Sequence, residues 1–143
     1  HSEIFYTHEV IYIGGGAQVI DLMKRNSVQE FLGKDNDILA ILDGDQRHKS
    51  YHEGMNNVHF LPFDNIESVI FNRYNLDDPV IPKVERIDGK SEIKKAKNLY
   101  NQLVANNNGV QLITEKKIYQ HLESLFETEI NNLESNIVNF LSN

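Results

Sequence analysis

Apolar residues recur along the chain at two different spacings, and the alternation between them predicts the elements. Residues 10–13, "VIYI", form a short β-prone run, and Gly14-Gly15-Gly16 directly after it makes a tight turn. Val19, Ile20 and Met23 follow at helical spacing, with a weaker continuation through Phe31 and Leu32 that stops at Gly33. Residues 38–42, "ILAIL", are apolar without interruption. That run predicts a strand over 37–42 buried on both faces, as in the middle of a parallel sheet covered by helices. The polar stretch 44–57, rich in His, Lys and Gly, reads as an exposed loop. Residues 58–63 form a third strand, ended by Pro62, and Asp64 or Asn65 caps a helix with Ile66, Val69, Ile70 and Tyr74 on one face.

Asp77-Asp78-Pro79 and Pro82 break the chain, and two helices follow, 91–105 with Ser91 as N-cap and 114–141. Asn106-Asn107-Asn108-Gly109 turns between them. In the second helix Ile118, Leu122, Leu125, Ile130, Leu133, Ile137 and Phe140 or Leu141 make an apolar stripe, to be packed on its own domain or on a partner helix. Strands alternating with helices predict an α/β fold, a small parallel sheet flanked by helices and followed by a helical C-terminal part. The division expected is an α/β core over 1–80 and a mostly helical extension over 81–143, packed on or next to it.

Composition narrows the class. With 40% hydrophobic and 24% charged residues the chain resembles an ordinary globular protein, and the longest apolar run is far too short to span a bilayer. No signal-peptide pattern is present, so the expectation is a cytoplasmic protein without a membrane partner. The absence of cysteine excludes disulfides, thiolate metal sites and cysteine nucleophiles. The net charge of −7 argues against affinity for nucleic acid over the whole surface, but its distribution is uneven. Residues 1–80 hold 6 Lys/Arg against 13 Asp/Glu, whereas 81–143 balance, 8 against 8. Residues 83–97 carry six basic and three acidic side chains and are the local candidate for a phosphate-facing surface.

The acidic half contains the chemistry. In open parallel sheets, binding sites gather at the carboxyl ends of strands. Asp43 and Asp45 follow the apolar run at that end, separated by Gly44, and Asp64 and Glu67 lie three apart at the start of the next helix. Carboxylates gathered on one rim repel unless a divalent cation neutralises them, and a set of hard oxygen donors suits Mg²⁺ or Mn²⁺ better than zinc. The plain alternative is that Asp-Gly-Asp is a good turn after a strand.

The blocks "IYIGGGAQVIDLM", "DILAILDGDQRH" and "VHFLPFDNIESVI", in that order, resemble the toprim domain of the OLD (overcoming lysogenization defect) family of ATP-dependent endonucleases over roughly residues 9–72. The resemblance implies a small parallel sheet flanked by helices whose acidic residues bind Mg²⁺ or Mn²⁺ for cleavage of DNA phosphodiesters. It gives Asp43 and Asp45 the Asp-x-Asp role, and Glu67, with Asp64, the downstream acidic role. It further implies DNA as substrate, an ABC-type ATPase domain in the same chain or as a partner, a homo-oligomeric assembly, and phage defence as a common setting. Two features depart from the family. No Gly-x-x-x-x-Gly-Lys-Ser/Thr phosphate loop occurs, and no glutamate ends a strand upstream of the glycine turn, since Glu3 and Glu9 fall at the wrong places. The chain therefore reads as a C-terminal fragment lacking the first β-α unit, not competent for cleavage alone.

In that scheme a lysine helps to stabilise charge on the transferring phosphate, and Lys83 and Lys90 are the candidates. Both also read as solvated surface charge. Of His48, His52 and His59, which flank the loop, His48 and His52 alone share the i, i+4 spacing of a zinc pair, and they sit in a loop rather than a helix, so all three read as exposed polar residues. His1-Ser2 reads as a remnant of a tag. The alternatives are a metal-dependent transferase or phosphatase using Asp-x-Asp, and a degenerate toprim fold serving as an assembly module without catalysis. Gln46-Arg47 does not match the Gly-Thr pair that dehalogenase-like phosphatases carry after their second aspartate.

Overall fold

The structure, a computed structural model, describes residues 8–142; His1, Ser2 and Glu3 lie outside the described residues. It is mixed α/β, a two-stranded parallel sheet accompanied by helices, and divides into two compact units. One unit runs to Pro62 and resumes at Thr128; the other is Phe63–Glu127. Residue 80, where the charge balance changes, falls inside the second unit.

In the first unit α1 (Gly16–Gln29) buries Ile20, Met23 and Asn26, one per turn. Its end is closed by a polar residue. Asn26 is completely buried, accepts from the Leu32 N–H at 2.7 Å and donates to the Gly33 carbonyl at 2.8 Å. It thereby satisfies two backbone groups that the finished helix cannot. Asn26→Ala leaves both unpaired and is expected to lower stability by about 2 kcal/mol, read as a lower urea midpoint at unchanged slope.

Strand β1 (Ala40–Leu42) pairs in parallel with β2 (Val58–Phe60), Ala40 opposite Val58 and Leu42 opposite Phe60. Both strands are shorter than the apolar runs suggest. Asp35–Asp37 is a 3₁₀ turn, and past Phe60 the pairing consists of one bond, from the Leu61 N–H to the Leu42 carbonyl. Nor is β1 buried on both faces. Ala40 and Leu42 pack with Ile20 and Met23 of α1, while Ile41 on the other face is 47% exposed. Residues 10–13 are not a strand; Val10 and Tyr12 are 82% and 93% exposed. A β-prone run becomes a strand only with a partner ladder, and this one pairs with neither β1 nor β2.

The second unit is built by local signals. Asn65, rather than Asp64, caps α2 (Ile66–Asn75), its side chain accepting from the Ser68 N–H. Ser91 caps α3 (Glu92–Val104) and Thr114 caps α4 (Glu115–Leu125) in the same way. Ile70, Leu99, Leu103, Ile118 and Leu122 form its core with Ile81 and Ile113. The long helix expected over 114–141 is two. The backbone leaves helical geometry at Phe126 (φ −120°, ψ 34°), whose ring packs on Phe63 at 5.1 Å, and α5 (Glu127–Ser142) starts afresh. The apolar stripe is thereby shared out, α4 to the core of the second unit and α5, from Thr128, to the first.

Candidate functional site

The end of β1 runs straight into a 3₁₀ turn, Gly44–His48, for which Asp43 is the N-cap residue. Asp43 is exposed, Gly44 buried and Asp45 half-buried. Gly44 does not have a positive φ, so it does not supply a left-handed turn. The two carboxylates thus stand two residues apart on the carboxyl rim of the sheet, with oxygen donors suited to a hard cation.

Asp45 is held in place. Gln46 Nε2 donates to Asp45 Oδ1 at 3.0 Å, and the Tyr51 hydroxyl donates to Gln46 Oε1. Burial, and then the negative charge of Asp45, push the Tyr51 hydroxyl above its ordinary pKa, so Tyr51 stays protonated as the donor that orients this chain. His52 contributes to the loop rather than to ligation: Nε2 lies 2.9 Å from the Gln46 carbonyl, and its ring meets Phe60 edge-on at 5.0 Å. His48 is exposed.

The glycine turn abuts the same loop. Gly14 has φ +130°, a conformation that needs glycine, and Gln18 Oε1 accepts from the Gly15 N–H at 3.2 Å to start α1. A Cβ on Gly16 would lie 2.6 Å from Tyr51 Oη and 2.7 Å from Gln46 Oε1. The N-terminus of α1, positive through its dipole, is therefore beside the loop that carries Asp45. Gly16→Ala is expected to displace the Gln46 and Tyr51 side chains and to cost about 1 kcal/mol, with a change in the Tyr51 ultraviolet signal as the readout.

Asp64 and Glu67 belong to the second unit. Asp64 is exposed just before the N-cap Asn65, and Glu67 is half-buried in the first turn of α2. Among the described residues no group of three or more His, Asp or Glu side chains is assembled as a metal-binding cluster. Lys83 is committed locally: Nζ donates to the Tyr74 carbonyl at 2.8 Å, pairs with Asp77 at 2.7 Å and lies 4.1 Å from the centre of the Tyr74 ring. It caps the end of α2, where a cation is favourable. Its hydrogen bond and charge hold the Asp77 carboxyl below the usual range. Lys90 is exposed, next to the Ser91 cap of α3.

Sequence reasoning missed Gln46 and Tyr51, which come together only when the loop folds. It also missed Asp78, the buried acid of the second unit. The Asp78 side chain is 2% exposed and accepts from Arg73 Nε and His121 Nε2, each at 2.7 Å, and from the Val80 N–H at 3.0 Å. Burial pushes its pKa up, but the bonds from His121, Val80 and Arg73 and the charge of His121 outweigh that and bring it down to about 2. The Asp-Pro pair that reads as a chain break is also an electrostatic tie. Comparison with protein-family models, with curated proteins and with solved structures finds no match.

Proposed function

We propose that the chain is the toprim-like part of a Mg²⁺- or Mn²⁺-dependent DNA endonuclease, acting in the cytoplasm together with an ABC-type ATPase domain. One observation supports this above the others: Asp43 and Asp45 follow a parallel strand at its carboxyl end, and the loop that orients Asp45 meets the glycine-started N-terminus of α1. Asp43 and Asp45 are the residues that would hold the ion. Asp64 and Glu67 are carried by their spacing in the sequence and by the resemblance.

A bound divalent ion would polarise the scissile phosphate and lower the pKa of the attacking water. The chain's own part is to present two carboxylates on a rim, to fix Asp45 through Gln46 and Tyr51, and to place a helix N-terminus where negative charge is favoured. The test is titration of the chain with Mn²⁺ by calorimetry, paired with plasmid nicking by the intact protein. Binding that weakens in Asp43→Asn and Asp45→Asn and persists in Asp35→Asn supports the reading; equal binding by all of them ends it.

A second reading, an assembly module without catalysis, is favoured by the exposed apolar residues of 10–13 together with Val28, Phe31 and Leu32. It predicts self-association that Tyr12→Ser weakens, with no Mn²⁺ affinity. Among the described residues no helix is long and apolar enough to cross a membrane.

A further inference from the structure

The two faces of the sheet are covered differently. Ala40, Leu42, Val58 and Phe60 pack with Ile20 and Met23 of α1, whereas Ile41 and His59, opposite each other in the ladder, belong to the other face. There the Phe140 ring of α5 meets the His59 ring edge-on at 6.1 Å, and Asn132, Leu133 and Asn136 of α5 line the same concave surface as His59. The seat is shallow. Among the described residues of α5 no side chain is fully buried, although Leu133, Ile137 and Phe140 are half-buried. The helix also starts afresh after Phe126, so no continuous helix has to bend for α5 to move.

His59 is the polar residue in this seat. The sequence places it among exposed side chains, but it is half-buried, and its Nε2 is cut off from solvent without a hydrogen-bond partner. A neutral imidazole can put its unprotonated nitrogen there at the cost of one unmade bond; an imidazolium would have to bury both an N–H and a charge. Burial accordingly holds its pKa below the ordinary 6.5. The surrounding groups do not offset a charge. Ile41 on β1 is apolar, Asn132 and Asn136 on α5 are neutral, Arg47 in the 3₁₀ turn is a cation, and Glu129, the carboxylate of that wall, is exposed. The Phe140 ring, at 6.1 Å, lies at the outer limit of useful cation–π attraction.

We propose that α5 is a detachable cover on this face of the sheet, seated on His59 while the imidazole is neutral and released when it takes up a proton. Release frees the Ile41 and His59 face together with the apolar stripe of α5, so acidification exposes apolar surface in one step. The direction follows from linkage: the released imidazole binds its proton at the ordinary pKa and the seated one only at lower pH, so seating is complete above the ordinary 6.5 and weakens as the pH falls below it. One proton weakens it by at most about tenfold per pH unit.

The test is amide hydrogen exchange of the whole chain between about pH 7.5 and about pH 5, corrected for the intrinsic effect of pH, with NMR titration of the His59 ring in the same samples. The expected result is that α5 amides lose protection over the range in which His59 titrates, while those of α1 keep theirs. His59→Phe, which has nothing to protonate, should keep α5 protected throughout. Phe140→Ala should free α5 at every pH and return His59 to its ordinary pKa, and Phe140 belongs to neither core, so that variant folds. Unchanged α5 protection across the His59 titration overturns the proposal, as does an equal loss in His59→Phe, or loss from α1 and α5 together. Should His59→Phe not fold, the wild-type titration and Phe140→Ala decide between the same outcomes.

Discussion

Asp45→Asn in the intact protein is expected to reduce Mn²⁺-dependent nicking of DNA by about a thousandfold while leaving the fold in place. The substitution is isosteric, and the carboxamide oxygen it introduces can still accept from Gln46 Nε2, so the hydrogen-bonded order of the loop survives. What is lost is the charge. A neutral amide neither neutralises a divalent ion nor competes well with water for it. Because Asp45 is half-buried and has a partner in the turn, stability should change by no more than about 0.5 kcal/mol. A second readout does not depend on activity: removing the Asp45 charge removes one of the two causes that raise the Tyr51 pKa, so the tyrosine should titrate at lower pH while burial still keeps it above the ordinary value. Asp35→Asn, an exposed acid in the same unit, changes net charge equally and serves as the control. Nicking by Asp45→Asn at the wild-type rate would remove Asp45 from the chemistry.

Asp78→Ala is expected to destabilise the second unit by about 3 kcal/mol, measured by urea unfolding. One carboxylate there satisfies Arg73 at the end of α2, His121 in α4 and the Val80 N–H across the Pro79 turn. Removing it leaves donors on both helices facing a position without an acceptor. The lower end of the range for breaking a buried pair applies, because Arg73 is 36% exposed and recovers some hydration. The pH dependence has a definite sign. The folded carboxyl titrates at about 2, below its ordinary 3.8, so the folded state stays ionised where the unfolded chain already takes up a proton. The contribution is complete above about pH 4 and disappears as the pH falls through about 2. It amounts to about 2 kcal/mol. In Asp78→Asn that acid-side loss should be absent. An unfolding midpoint that falls equally from pH 5 to pH 2 in wild type and Asp78→Asn would show that another group sets the acid limit.

The features that could be read from sequence are those decided within a few residues. Ser91 and Thr114 cap their helices by bonds to the residue three positions on, and Ile66, Val69, Ile70 and Tyr74 share a face because a helix repeats every 3.6 residues. The Asp-Gly-Asp turn after an apolar strand, and the glycine start of α1, belong to the same class. A two-strand parallel sheet with helices is the α/β layer that the alternating pattern predicts.

Tertiary structure decided whatever depends on a distant partner. Whether 10–13 becomes a strand depends on a ladder elsewhere in the chain, and Ile41 is half-exposed because only one face of β1 received a full apolar cover. The apolar stripe from Ile118 to Phe140 takes a five-residue step between Leu125 and Ile130, a small irregularity; there Phe126 leaves helical geometry and packs against Phe63, far back in the sequence, and the two halves join different units. Asn26, Asp78 and the Gln46–Tyr51 pair look like ordinary polar residues in the sequence. Each gains its role only where burial removes water, because a polar group that leaves solvent must find its partner in the fold, and that partner is chosen by packing rather than by its neighbours in the chain.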